Sequence, residues 1–103
     1  MNMNKIKTAE LTGAALDFSV ARCQGYGFGV RYSTDWKQGG PIIERDKICT
    51  DFLLNGQWLA ISRTTEKQGY GPTPLIAAMR CYCYAKLGDE IDIPEELCQQ
   101  QSS

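Results

Sequence analysis

The chain contains no histidine among its 103 residues. Histidine is the commonest general base in enzymes and the commonest metal ligand in proteins. Its absence removes the side chain that most often activates a catalytic nucleophile. The sequence therefore favours a protein that is not an enzyme and has no cofactor. A nucleotide hydrolase is the least favoured function.

The five cysteines lack the pattern of a metal site, because no CxxC motif occurs. Cys81 and Cys83 lie two positions apart on a predicted helix, so their side chains point about 200° apart and cannot hold one metal ion together. An odd number of cysteines also argues against a framework of disulfides. We expect reduced thiols that behave as small apolar residues, and no bound metal.

A basic surplus and a long apolar run are also missing. The 11 basic and 12 acidic residues give a net charge of −1, whereas proteins that bind duplex nucleic acid normally carry excess positive charge. No apolar run approaches the ~20 residues of a membrane span, and the N-terminal MNMNKIK does not resemble a signal peptide. We expect no nucleic acid partner, no membrane partner and a location in the cytoplasm.

The strongest structural signal is a helix over residues 73–87. Thr73 is a favourable N-cap, Pro74 suits the first helical position, and Gly88 provides the stop. Only Arg80 and Lys86 are charged within it. A helix that is apolar nearly all round is buried in a core or shared with a partner. In so small a chain this pattern predicts a homo-oligomer.

Residues before the main helix show two further patterns. Apolar residues at spacings of three and four predict a first helix over residues 7–25, with Thr8 as its N-cap and Gly25 as its end. Alternating apolar residues and glycines at 28–32 predict a short strand. A flexible glycine-rich loop is the alternative for this segment.

The middle of the chain predicts a short helix and a hairpin. Pro41 could open a helix near residues 40–47, although a strand is the alternative. Residues 50–62 predict a hairpin with Asn55 and Gly56 in a type I′ turn. Strands are thus expected within residues 27–62, Ile91 and Ile93 indicate an edge strand, and residues 98–103 a disordered tail. The whole predicts one α+β domain over residues 1–103, with a small antiparallel sheet packed against two main helices.

The candidate site starts at the beginning of the main helix. Helix N-termini attract anions, and Tyr70, Gly71 and Thr73 would add a stacking face, close backbone approach and a hydroxyl. Arg80 lies in an apolar helix, where a guanidinium must find a carboxylate, carbonyls or a ligand oxyanion. Two alternatives stay open: that Thr73 serves only as a cap, and that Arg80 pairs with the acidic C-terminal segment.

A second candidate segment is Thr34, Asp35 and Trp36. A tryptophan in a polar turn can stack on a planar ligand, while a neighbouring aspartate accepts from a ring nitrogen or a ribose hydroxyl. The alternative is that Trp36 packs at the edge of the core and Asp35 caps the following helix. Together with Arg80, these residues predict a pocket for a small anionic ligand such as a nucleotide derivative.

Three blocks of the sequence resemble the NinX-like family of phage proteins. STDWKQGGPIIERDKI at residues 33–48 resembles the family pattern STDW-x-QGGPIIERE-x-I. GPTPLIAAMRCYCYAKLGDEIDIPEEL at 71–97 and KTAELTGAALDFSVARCQG at 7–25 resemble its two ends. The segment GYGFGVRY is shorter than the aromatic-rich segment that relatives often have there.

The resemblance implies a small accessory protein of tailed phages or prophages, and it brings no catalytic residues with it. Such proteins often bind a host protein or sequester a nucleotide signal, so an anti-defence role in the host cytoplasm is expected by association. An interaction module that inhibits a host protein is the alternative. The ligand or target is not specified by the sequence.

Overall fold

The computed structural model describes residues 2–98. Within them the chain forms five strands, four helices and one 3₁₀ turn. In order these are β1 (Met3–Lys7), the turn (Thr8–Glu10), α1 (Gly13–Gln24), α2 (Trp36–Asp46), β2 (Ile48–Phe52), β3 (Trp58–Ser62), β4 (Gln68–Gly71), α3 (Pro74–Leu87), β5 (Glu90–Pro94) and α4 (Glu95–Cys98). The predicted α+β class is confirmed. No helix in this part of the chain is long and apolar enough to cross a membrane.

The strands form two small antiparallel sheets. One has the order β2-β3-β4, with Phe52 opposite Trp58 and Leu59 opposite Tyr70. The other pairs β1 with β5 and places Ile6 opposite Ile91. The edge strand expected around Ile91 is therefore present. Its partner β1 includes Lys7, the residue at which the sequence predicts the start of the first helix.

Helix α3 is the centre of the fold and packs directly on β4 and β3. The contact is close because two glycines of β4 face the helix. A Cβ atom on Gly69 would lie 2.6 Å from the backbone nitrogen of Cys81, and one on Gly71 would lie 2.9 Å from that of Ala77. Only glycine permits this approach, because any larger residue would collide with helix backbone.

The predicted start and stop of α3 are confirmed. Thr73 Oγ1 accepts a hydrogen bond of 3.1 Å from the Ile76 amide, and Gly88 has a φ of 89° at the C-cap. The buried side chains of α3 are covered by the same chain: Leu75, Ala77, Ala78, Met79, Cys81, Tyr82 and Cys83. The structure therefore removes the uncovered helix on which the expectation of a homo-oligomer rested.

The first helix begins later than residue 7. Residues 3–7 are strand, and α1 starts at Gly13 after Thr12, whose backbone is extended (φ −151°). Thr8 is unavailable as a cap because its hydroxyl donates to the Gly88 carbonyl and its amide donates to that of Asp89. The predicted end is correct, since Gly25 adopts a φ of 84° and donates to Ala21.

The predicted strand at residues 28–32 is wrong. The segment between α1 and α2 consists of turns, with Gly27 at a φ of 85° and Gly29 at 90°. Such values lie outside the extended region that a strand needs. The Val30 amide instead donates to the Gly27 carbonyl at 3.2 Å. The glycine-rich loop, which is the alternative that the sequence leaves open, is the observed structure.

The predicted helix near 40–47 exists but starts earlier. Asp35 Oδ1 accepts from the Lys37 amide at 3.0 Å and caps α2, which places Pro41 inside the helix rather than in its first turn. Gly39 allows the helix to approach its neighbours, because a Cβ there would collide with the Tyr32 carbonyl oxygen. Lys47, in the left-handed region at a φ of 54°, ends the helix.

The predicted hairpin is correct in place but wrong in turn type. The Gly56 amide donates to the Leu53 carbonyl at 3.0 Å, and the Leu53 amide donates to the Gln57 carbonyl at 2.8 Å. Of the loop residues only Gly56 has a positive φ, at 89°. This is a three-residue loop closed by a bulge rather than a two-residue type I′ turn. In the expected disordered tail, Cys98 belongs to α4, and residues 99–103 lie outside the described part.

Candidate ligand-binding site

Arg80, on the second turn of α3, leans toward the start of its helix and reaches two other segments. Its Nε donates to the Leu11 carbonyl at 2.7 Å, and Nη1 donates to the Tyr70 carbonyl at 2.8 Å. The guanidinium thus ties α3 to β4 and to the segment before α1. Helical side chains point toward the N-terminus of their helix, so this direction follows from elementary geometry.

Both observed partners of Arg80 are neutral. Within residues 2–98 the ion pairs closer than 4.0 Å join Lys5 with Asp92 and Arg45 with Asp46, and neither includes Arg80. Burial lowers the pKa of the Arg80 guanidinium. A half-buried cation without an acidic partner is costly, and the cost falls when an anion binds. The acidic partner that one sequence alternative proposed is not observed.

A cavity of about 370 Å³ opens beside Arg80, and we call it the Arg80 cavity. It lies between the 3₁₀ turn, β4, α3 and the start of β5, and its lining consists of Thr8, Ala9, Gln68, Gly69, Tyr70, Arg80, Tyr84 and Asp89. The volume is within the range of small-molecule sites, about 300–1,000 Å³. Two tyrosines and a guanidinium supply aromatic surface and positive charge in one place.

Two more charged groups set the electrostatics of the Arg80 cavity. The Lys67 ammonium lies 5.4 Å from the centre of the Tyr84 ring and adds positive charge nearby. Asp89 is the acidic residue of the lining, and its carboxylate lies beyond ion-pair distance of Arg80. An anionic group would therefore be held at the Arg80 side, while Asp89 can accept hydrogen bonds from ligand hydroxyl groups.

The N-terminus of α3 itself offers little to an anion. Pro74 has no amide hydrogen, the Ile76 amide donates to Thr73 Oγ1, and the Ala77 amide donates to the Thr73 carbonyl. Only the amide of Leu75 is left in the first turn, and Leu75 is buried. Thr73 therefore acts as a cap in this structure, and Gly71 packs against α3.

The second candidate segment lies apart from the Arg80 cavity. Asp35 caps α2, and Trp36 is its first residue, with 54% of its surface exposed. Thr34 lines a different cavity, which is described next. Of the seven predicted site residues, the structure brings Tyr70 and Arg80 together. Thr34 lies in the second cavity, and the other four, Asp35, Trp36, Gly71 and Thr73, line neither.

The second cavity, of about 410 Å³, lies between α1, the loop before α2, and α4. We call it the Asp17 cavity, and its lining consists of Gly13, Ala14, Asp17, Phe18, Phe28, Gly29, Val30, Arg31, Thr34 and Leu97. Sequence reasoning missed Asp17, Phe18, Phe28 and Arg31 as site residues. The sequence signal for this cavity was the alternation of apolar residues at 28–32, which here form a cavity wall rather than a strand.

The cysteines do not form a metal centre within residues 2–98. All five thiols are free, and no group of three potential metal ligands comes together in that part of the chain. Burial raises the pKa of the Cys81 thiol to about 11. A thiol that stays protonated is a poor nucleophile and a poor metal ligand. The cysteines of α3 therefore act as packing residues.

Comparison with known proteins gives one family match. The family model described as "Bacteriophage P22, NinX" matches residues 28–86, more than half of the chain. No curated protein matches the chain. The matched region contains β4 and nearly all of α3, and with them Tyr70, Arg80 and Tyr84 of the Arg80 cavity.

Proposed function

Because the chain belongs to the family of the bacteriophage P22 protein NinX, and is therefore a phage accessory protein, we propose that it acts by binding a small anionic, nucleotide-like ligand in the Arg80 cavity. Binding without chemical conversion is sufficient for a protein that sequesters a signal. In this proposal the protein acts in the host cytoplasm, and the bound molecule is a nucleotide-derived immune signal of the host.

One observation carries the proposal. Arg80 is half-buried, its two hydrogen-bond partners are carbonyl oxygens, and its side chain lines a cavity of about 370 Å³. Arg45 shows the usual arrangement for comparison, since it pairs with Asp46 and donates to the Tyr82 hydroxyl. A guanidinium fixed by two carbonyls keeps its remaining N–H groups in a defined direction, which suits the oxygens of a phosphate.

The rest of the lining fits a nucleotide better than a simple anion. Tyr70 and Tyr84 offer aromatic faces on which a base can stack. Asp89 offers a carboxylate that can accept from ribose hydroxyl groups. A phosphate at Arg80, a ribose at Asp89 and a base against a tyrosine would use every kind of group that the cavity presents.

The proposal is tested by a thermal-shift panel of mononucleotides, cyclic dinucleotides and ADP-ribose derivatives, with mass spectrometry of the recovered ligand. At a ligand concentration 100 times Kd, binding adds about 2.7 kcal/mol to the free energy of unfolding. We expect at least one nucleotide to stabilise the protein and to be recovered unmodified. A converted product would support a hydrolase, and no shift with any nucleotide would contradict the proposal.

Arg80→Lys is the variant that assigns the ligand to the cavity. It keeps the positive charge but loses the planar donor geometry, so we expect at least about tenfold weaker binding, equal to about 1.4 kcal/mol. Arg63→Lys is the matched control, because Arg63 is exposed and its guanidinium donates to Cys49 Sγ, outside the cavity. Equal affinity of the Arg80→Lys variant and the unsubstituted protein would contradict the assignment.

An interaction module that inhibits a host protein is the second candidate function. It is favoured by the tip of the β2–β3 hairpin, where Phe52 is 56% exposed and Leu54 is fully exposed. Exposed apolar residues of this kind are common at protein interfaces. Phe52→Ser with Leu54→Ser leaves the Arg80 cavity intact. If the protein acts by inhibiting a host protein, this variant should lose its effect on the host. If it acts by binding a ligand in the Arg80 cavity, the variant should keep that effect.

A further inference from the structure

Asp17 is a half-buried carboxylate that the proposed function does not use. Its Oδ1 accepts a hydrogen bond from the Ser33 amide at 2.8 Å. This bond fixes the Asp17 side chain, on α1, against the loop before α2. Within the described residues no lysine or arginine nitrogen lies within 4.0 Å of it. Burial raises the pKa of Asp17, while Ser33 and Arg31 oppose the shift. Asp17 also lines the second cavity, and an ionised carboxylate has about four lone-pair sites, which is more than Ser33 uses.

Aromatic side chains form another part of the same cavity. The rings of Phe18 and Phe28 lie 5.4 Å apart at their centres and are tilted by 53°. Phe28 is 57% exposed although it lines the cavity with Val30 and Leu97. A large aromatic ring left half in water at the mouth of a cavity is a surface on which a flat ligand can stack.

The remaining polar groups of the cavity are Arg31 and Thr34, which are both exposed. Arg31 is close enough to Asp17 to lower the pKa of that carboxyl, but it forms no ion pair with it. The cavity therefore presents an acceptor inside, an apolar wall, and a cation at the surface. In the Arg80 cavity the half-buried charged group is a cation beside two tyrosines, so it would hold an anionic group, whereas half-buried Asp17 would hold a hydrogen-bond donor.

From these contacts we infer that the Asp17 cavity is a second small-molecule site, which binds a flat nitrogen heterocycle with two adjacent N–H donors, as on a guanine base. The Asp17 carboxylate accepts from the two donors, Phe28 stacks on the ring, and Arg31 contacts a phosphate if the ligand carries one. A carboxylate and the Watson–Crick edge of guanine match in spacing and in donor–acceptor pattern. This site does not depend on the proposed function of the Arg80 cavity.

The test uses guanosine, inosine and guanosine monophosphate as probes in isothermal titration calorimetry of the full chain. Guanosine offers two adjacent donors and inosine one, so we expect guanosine to bind at least about fivefold more tightly. The comparison of guanosine monophosphate with guanosine uses the Arg80→Lys variant, in which the proposed phosphate contact of the Arg80 cavity is weakened. There guanosine monophosphate should still bind more tightly than guanosine, and adding Arg31→Met should remove that difference without weakening guanosine binding. Tryptamine, a cationic amine on an aromatic ring, binding more tightly than guanosine would overturn the assignment to a base.

Variants of the protein locate the site. Asp17→Asn keeps an oxygen that can accept from the Ser33 amide but loses the charge, and it should weaken guanosine binding at least about tenfold. Phe28→Ala should weaken it at least about fivefold through lost stacking. Tyr26→Ala is the control for Phe28, because Tyr26 is 64% exposed and does not line the cavity.

Arg80→Lys separates this site from the Arg80 cavity and should leave guanosine binding unchanged. Guanosine binding that is lost in Arg80→Lys and retained in Asp17→Asn would overturn the inference while supporting the proposed function. Absence of saturable guanosine binding up to millimolar concentration would overturn it as well. Circular dichroism of each variant shows whether the fold is kept, so a lost affinity is not mistaken for lost structure.

Discussion

The two cavities are built from different kinds of structure. The Arg80 cavity lies against the contact between α3 and β4, where regular elements approach closely through Gly69. The Asp17 cavity lies against the loop before α2, where Gly27 and Gly29 have positive φ values and no strand forms. The first is held by helix–strand packing, whereas local turns form one wall of the second, opposite α1 and α4. We therefore expect changes at the first to affect the whole fold and changes at the second to stay local.

Gly69→Ala should destabilise the protein most. Its Cβ would lie 2.6 Å from the Cys81 nitrogen and 2.7 Å from the Ala77 carbonyl oxygen, both backbone atoms that cannot move independently. We expect a loss of about 3 kcal/mol in the free energy of unfolding, measured by urea denaturation. Gly40→Ala is the control, because nothing lies within 4 Å of its added Cβ. It should be neutral or stabilise by up to about 1 kcal/mol. Equal stability of the two variants would contradict the close packing of α3 on β4.

Arg80→Met should have the next largest effect on stability. It removes the donors to the Leu11 carbonyl, where the hydrogen bond is partly buried, and to the Tyr70 carbonyl, where it is exposed. Leaving the Leu11 acceptor unpaired costs about 1–3 kcal/mol. The Arg63→Met control lies on the surface and should leave the denaturation midpoint unchanged. An unchanged midpoint for Arg80→Met would mean that the two hydrogen bonds do not form in solution.

Gly27→Ala should have a smaller effect, confined to the loop that lines the Asp17 cavity. Gly27 has a φ of 85°, and its added Cβ would collide with the Tyr32 hydroxyl oxygen. We expect a loss of about 1–2 kcal/mol, part of it from the backbone conformation and part from the displaced ring. Gly29→Ala shares the positive φ but has open space around its Cβ, so it isolates the backbone part. A larger loss for Gly29→Ala than for Gly27→Ala would contradict the observed position of Tyr32.

The smallest expected effect is a dependence of stability on pH through Asp17. Burial raises its pKa above the ordinary value of 3.8 in the folded state, so the folded protein binds more protons there than the unfolded chain. The contribution of Asp17 to stability is therefore greatest at low pH and decreases as the pH rises through 3.8 and the folded pKa. Relative to the unsubstituted protein, Asp17→Asn should gain stability as the pH rises from below 3.8 through the raised pKa of folded Asp17. A relative loss over that range in thermal denaturation would contradict the direction of the shift.

Local signals in the sequence were sufficient for α3 and its ends. The helix is started and ended by Thr73, Pro74 and Gly88, which act on residues close to them in sequence. Their roles can therefore be predicted from residue type and position alone. The start of α1 was predicted at the wrong residue because Thr8 and Thr12 are equally suitable caps by type. The contact that occupies Thr8 is to Gly88, 80 positions away in the sequence. No local pattern encodes such a choice.

The candidate site, too, was predictable only where local signals decide the structure. The burial and backward direction of Arg80 follow from an arginine in an apolar helix, but its partners are backbone carbonyls at positions 11 and 70. Every residue has a backbone carbonyl, so the sequence does not show which carbonyl binds Arg80. It also does not show whether the partner is a carbonyl, a carboxylate or a ligand. The Asp17 cavity was missed for another reason, because alternating apolar residues and glycines predict a strand unless the φ values are known.

The central claim is that the Arg80 cavity binds the anionic group of a nucleotide. The most direct measurement is a titration of ¹⁵N-labelled protein with adenosine monophosphate, followed by the shifts of backbone amide signals. We predict saturable shifts concentrated at the lining residues of that cavity, including Thr8, Gln68, Tyr70, Arg80 and Tyr84, and their loss in Arg80→Lys. Saturable shifts that lie elsewhere, or that are the same in Arg80→Lys, would contradict the claim.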